Sequence, residues 1–163
     1  MAQAYTSFPN DGEMTYARSY SLITDSNGNT VLENGMRTSH VFSVDTARCM
    51  TEMLEAAAWY GTGYEVYLGY GKMPVAGKTG TTSDDYDRWF CGFSPYYVTA
   101  VWTGYDMPEY MNFSGNPAAQ IWKLVMEPIH KDLATKSFPT PNVGTPTGIF
   151  GDFSKTQGTG DTE

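Results

Sequence analysis

Between Val75 and Phe93 the chain reads VAGKTGTTSDDYDRWFCGF, and its small polar residues are crowded just before an aromatic run. Val75 to Thr82 reads as an extended stretch, followed by a hairpin loop at Ser83 to Asp87. Lys78 offers a fixed positive charge and Thr79 a neighbouring hydroxyl, a pair that suits a carboxylate. On an edge strand the outward N–H and C=O groups are unpaired, so an extended peptide could add there as a further strand. Gly80 lets such a ligand come close, having no side chain. A backbone N–H near Thr81 could stabilise an oxyanion during acyl transfer. The bare triplet Lys78-Thr79-Gly80 is weak on its own, and its meaning depends on what surrounds it.

Other polar groupings read as structural. Asp84, Asp85 and Asp87 sit beside Arg88 in one loop and read as a solvated hairpin tip rather than a metal cluster. His40 and His130 have no evident partner and read as surface or packing residues. Trp89, Trp102 and Trp122 lie at strand and helix spacing, which favours core packing over a carbohydrate platform. Cys49 and Cys91 stand among apolar neighbours and read as small buried hydrophobes. No Cys/His cluster has ligand spacing, so neither a metal nor a cofactor is expected.

The elements that must position Lys78 are legible around it. Met1 to Phe8 reads as a helix end, stopped by Pro9-Asn10-Asp11-Gly12. Tyr16 to Ile23 and Thr30 to Leu32 read as strands joined at Asp25 to Asn29, with Asn27-Gly28 the strongest hairpin signal in the chain. Ser43 suits a helix N-cap with Asp45 in the first turn. Ala47, Met50, Leu54, Ala57 and Ala58 then recur at helical spacing, and Gly61 and Gly63 end the helix. Arg88 to Ser94 and Tyr97 to Tyr105 read as strands, the second apolar on both faces and therefore central. A last helix starts at Asn116 with Pro117 behind it, showing Ile121, Trp122, Leu124 and Val125 as its apolar face; Pro128 should kink or end it. Phe150 to Glu163 reads as a flexible tail or linker.

The chain has 163 residues with 10 Lys plus Arg against 18 Asp plus Glu, a net charge of -8. That balance provides no basic face for nucleic acid and no polybasic surface for membrane binding. No run is apolar and long enough to span a bilayer, and the N-terminus lacks the pattern of a signal peptide.

Taken together, several segments resemble the C-terminal part of the transpeptidase domain of a class A (bifunctional) penicillin-binding protein. They are MAQAYTSFPNDG, VFSVDTARCMTEMLEAAAWYGTG, PVAGKTGTTSDDYDRWFCGFSPYYVTAVWTGYD, AAQIWKLVMEPIH and FPTP. The resemblance covers 1–149, leaving 150–163 as the tail. It implies an α+β fold: an antiparallel sheet packed by helices, part of the penicillin-binding transpeptidase (serine β-lactamase-like) fold. It further implies that Lys78 and Thr79, with Gly80, Thr81 and Thr82, bind the terminal carboxylate of a D-alanyl-D-alanine stem peptide. Thr81 would offer its N–H to the oxyanion, and β-lactams would occupy the same strand.

Such enzymes combine S-x-x-K, S-x-N and K-T-G. No serine of this chain has a lysine three residues later. Ser114-Gly115-Asn116 and Tyr110-Met111-Asn112 mimic the second motif, but they follow Lys78 against the family order; Asn116 reads better as an N-cap. The nucleophile is therefore expected in an upstream half of the domain, with Met1 an internal methionine of a longer protein or the start of a truncated reading frame. The fragment alone is expected to be inactive. The parent is expected at the extracytoplasmic face of the bacterial cytoplasmic membrane. A degenerate, non-catalytic wall-peptide-binding or assembly module is the alternative.

Overall fold

The structure, a computed structural model, describes residues 1–61, 66–68 and 73–142. The order is α1 (Ala2–Tyr5), β1 (Glu13–Thr15), β2 (Leu22–Thr24), β3 (Thr30–Glu33), β4 (Thr38–His40), α2 (Val44–Tyr60), β5 (Ala76–Thr81), β6 (Asp87–Phe93), β7 (Val98–Gly104) and α3 (Pro117–His130). The fold is α+β with every strand pair antiparallel. The main sheet runs β5-β6-β7, and two ribbons, β1-β4 and β2-β3, stand apart from it.

Local chemistry sets most of the boundaries. Asp25 builds the predicted turn by accepting the Asn27 and Asn29 N–H groups on Oδ1 at 2.8 and 2.9 Å. Gly28 supplies the positive φ that the turn needs. Ser43 caps α2 by accepting the Thr46 N–H. Asn116 caps α3 by accepting the Ala118 and Ala119 N–H groups, with Pro117 at the first position. Gly61 is the C-cap of α2, whereas Thr62 and Gly63 lie outside the described residues, as does the tail at 150–163.

Four expectations need correction. Only Leu22 and Ile23 of the stretch Tyr16 to Ile23 are in a strand; the chain instead pairs Glu13–Thr15 with Thr38–His40 before and after the hairpin. The central strand of the described sheet is β6, not β7. β7 is apolar on both faces because both are covered: Val101 packs with the cluster around Trp122 and Val98 with that around Phe93. On α3 the buried face is Ala118, Ala119, Trp122, Met126 and His130. Of the expected stripe only Trp122 is buried, while Leu124 is 74% exposed. His130 is buried with two partners, Ser94 Oγ at 2.6 Å from Nε2 and the Met126 carbonyl at 2.6 Å from Nδ1. It pins the end of α3 to the β6–β7 turn, where Ser94 Oγ also accepts the Tyr96 and Tyr97 N–H groups. His40 pairs with Glu13 at the surface. Both cysteines are free thiols; Cys91 is buried and Cys49 half-buried.

Phe90 organises the face of the sheet beneath α3. Its ring meets Trp122 edge-on at 5.2 Å. It also lies over two glycines: a Cβ on Gly77 would come within 2.7 Å of its Cζ, and one on Gly92 within 2.5 Å of its Cε1. Two neighbouring strands are thus bare of side chains where one aromatic ring must lie flat. Gly77→Ala should therefore destabilise the fold by about 1–3 kcal/mol through overpacking. Urea unfolding checks this, and an unchanged midpoint would contradict it.

Candidate functional site

The register of the sheet decides what the β5 strand presents. Gly80 stands opposite Trp89, Thr81 opposite Arg88, and Lys78 opposite Cys91. The Thr82 N–H donates to the Asp87 carbonyl at 3.2 Å, so Thr82 points inward to β6. Backbone groups alternate in direction along an antiparallel strand. Lys78 and Gly80 therefore bond to β6, while Thr79 and Thr81 turn their N–H and C=O groups to the outer edge. Among the described residues no strand pairs with that edge.

Side chains alternate as well, in the perpendicular direction. Lys78 and Gly80 share one face with Trp89 and Cys91; Thr79 and Thr81 share the other with Phe90 and Arg88. The Lys78 ammonium nevertheless reaches around the strand, lying 3.3 Å from both the carbonyl and the hydroxyl of Thr79. The positive charge thus sits at the rim of the outer edge, beside a hydroxyl and next to outward backbone groups. That set suits an extended ligand ending in a carboxylate. Gly80 is constrained from beneath also, since a Cβ there would stand 3.2 Å from the Trp89 Cβ.

Beyond Thr81 the chain turns tightly. The Thr82 hydroxyl accepts the Tyr86 and Asp87 N–H groups, each at 3.0 Å. The acidic residues here are not a simple solvated tip. Asp85 holds a positive φ of 55° and pairs with Arg88 at 3.0 Å. Asp87 accepts the Trp102 indole N–H at 2.8 Å. Sequence reading missed the structural work of Asp85 and Arg88, because their partners lie 26 or more residues away at Met111 and Gly115. Trp102 is 44% exposed and lies over Gly104, so it is not a core residue as expected.

A groove of about 440 Å³ lies between α2 and the segment after α3, lined by Glu52, Glu55, Trp59, Tyr60, Pro74 and Thr135, among others. Burial pushes the Glu55 carboxyl above its usual range, and the neighbouring Glu52 charge adds to the effect. Among the described residues no set of three His, Cys, Asp or Glu could hold a metal ion. No helix there is long and apolar enough to cross a membrane.

A carboxyl whose folded pKa is raised opposes folding once the pH is high enough to ionise it. Glu55→Gln should therefore raise the melting temperature at pH 7. The advantage should shrink as pH falls through the carboxylate range, where Glu55 is protonated in both states. Equal melting temperatures at pH 7 would show that the carboxylate carries no burial penalty.

The comparisons with known proteins agree with this architecture. The family described as penicillin binding protein transpeptidase domain matches residues 1–127. Penicillin-binding protein 1A of Clostridium acetobutylicum is 40% identical over 141 residues, covering 86% of this chain and 17% of that protein. Among solved structures, penicillin-binding protein 1A from Haemophilus influenzae superposes with a TM-score of 0.73 at 18% identity, over 86% of this chain and 27% of its own. PonA1 from Mycobacterium tuberculosis does so at 0.70 and 25% identity, over 87% and 40%. The chain thus spans about one sixth of the length of the curated relative, 17%.

Proposed function

This chain belongs to the penicillin-binding protein transpeptidase family, and from that premise we propose that it supplies the substrate-holding strand of a peptidoglycan D,D-transpeptidase. The observation that carries the reading is the Lys78 ammonium beside the Thr79 hydroxyl, at an edge of β5 with which no strand pairs among the described residues. A donor stem peptide ending in D-alanyl-D-alanine would lie along that edge as an added strand. Its terminal carboxylate would meet Lys78 and Thr79. Gly80 would let its backbone approach, and the outward Thr81 N–H would donate to the carbonyl oxygen under attack. Thr82 would border the site, its hydroxyl oxygen held by the turn.

The reaction needs a serine nucleophile and its lysine, and the S-x-x-K that would provide them is not in this sequence. We assign it to an upstream half of the domain, packed against the Lys78 face. The serine would attack the amide between the two D-alanines. The developing oxyanion would be held by hydrogen bonds from the site, the terminal D-alanine would leave as the amine, and an acceptor amine would then take the acyl group. A β-lactam would enter as a mimic of the dipeptide, its carboxylate on Lys78 and Thr79. Residues 1–149 would form this portion of the domain, with 150–163 beyond it, at the extracytoplasmic face of the membrane.

Two measurements test the reading. Incubated with a reactive penicillin, the isolated chain should show no mass increase; stoichiometric acylation of any serine would overturn the assignment of the nucleophile. Titration with D-alanyl-D-alanine should move the amide resonances of Val75 to Thr82 with millimolar affinity, about 4 kcal/mol. Lys78→Ala should abolish those changes, and shifts that survive it would contradict the proposed carboxylate site.

A further inference from the structure

The Arg88 side chain is only 15% exposed, yet it carries a charge in the hairpin that ends the β5 strand. Its Nη2 pairs with Asp85 Oδ1 at 3.0 Å. Its Nη1 donates to the Gly115 carbonyl at 2.9 Å. Its Nε is buried with no hydrogen-bond partner. Two of its N–H groups are committed to protein partners and the side chain is largely enclosed, so its contacts point to a role in position.

What it positions follows from its contacts. Asp85 uses all of its polar groups. Its N–H donates to the Thr82 carbonyl and its carbonyl accepts the Met111 N–H, while its carboxylate takes Arg88. It does so at a φ of 55°, where L residues are rare and need support from their surroundings. Gly115 immediately precedes Asn116, which caps α3 and donates through Nδ2 to the Trp89 carbonyl. Arg88 is thus the side chain that ties the turn to the foot of α3. Its own Cα is the register partner of Thr81.

We infer that Arg88, with Asp85, is a positioning residue for the Thr81 N–H. The clamp fixes the turn from Thr82 to Asp87, that turn fixes the inward bond of Thr82, and so the preceding N–H is aimed outward at the edge. This inference rests on the transpeptidase reading for its purpose, but not for its geometry. Lys78 lies three residues earlier, where the ladder to β6 and the packing around Gly77 hold the strand apart from the clamp. Loss of the clamp should accordingly disturb the oxyanion end of the site and spare the carboxylate end.

Amide hydrogen exchange by NMR on the intact chain tests this with Arg88→Ala, Arg88→Lys and Asp85→Asn. In Arg88→Ala and Asp85→Asn, the Thr82, Tyr86 and Asp87 amides should exchange about tenfold faster or more, while those of Leu54 and Trp122 in the core change less than about twofold. Arg88→Lys, which keeps the charge but not the fork, should fall between. With D-alanyl-D-alanine present, Arg88→Ala should lose the shift at the Thr81 amide and keep that at Lys78. Unchanged exchange in the turn, or equal acceleration of every amide, would overturn the clamp; if Arg88→Ala does not fold, the other two variants decide. If the wild-type chain shows no dipeptide shift at all, the substrate reading falls, while the exchange comparison still decides the clamp.

Discussion

One backbone hydrogen bond, from the Thr82 N–H to the Asp87 carbonyl, fixes the direction of every group on β5. In an antiparallel ladder the alternation leaves no freedom once a single residue is assigned. Because Thr82 points inward, Thr81 and Thr79 point out, and Lys78 precedes them with its side chain curled over the rim. A shift of one residue would reverse this order, hiding the Thr81 N–H in the sheet and moving Lys78 to the opposite face. The fold's main task for function is therefore to hold this register.

Packing guards it from the other side of the same strand. The Phe90 ring fills the space over Gly77 and Gly92 and meets Trp122 of α3. Sliding β5 by one residue would bring Ala76 or Lys78 under the ring in place of Gly77, where even a Cβ does not fit. The glycine before Lys78 thus serves register, and the glycine after Thr79 serves approach to the edge. The residues of the motif divide between structure and recognition, although they are adjacent in sequence.

Features set by neighbours in sequence were legible in advance: the Asn27-Gly28 turn, the Ser43 and Asn116 caps, the extended stretch around Lys78 and the two strands after it. Each is encoded within a few residues. The pairing of Glu13–Thr15 with Thr38–His40 was not, because the hairpin between them carries the stronger local signal and the longer closure leaves no mark of its own. On α3, Ile121, Leu124 and Val125 compete with Ala118, Ala119 and Met126 for the sheet. Periodicity alone does not choose between two apolar stripes. The choice rests with Phe90, whose glycine-bare surroundings admit Trp122 and the small alanines near it. The work of Arg88 was hidden for a related reason, since its carbonyl partner is 27 residues away at Gly115.

Recognition along β5 depends most directly on the outward direction of the Thr81 N–H. Native-state exchange of three consecutive amides measures it without any ligand. Gly80 and Thr82, bonded to β6, should be protected, and Thr81 between them should exchange at close to the rate of an open chain. That alternation is the predicted result. Protection of Thr81 equal to that of its neighbours would mean that the edge is closed or the register different, and the site described here would not exist in this chain.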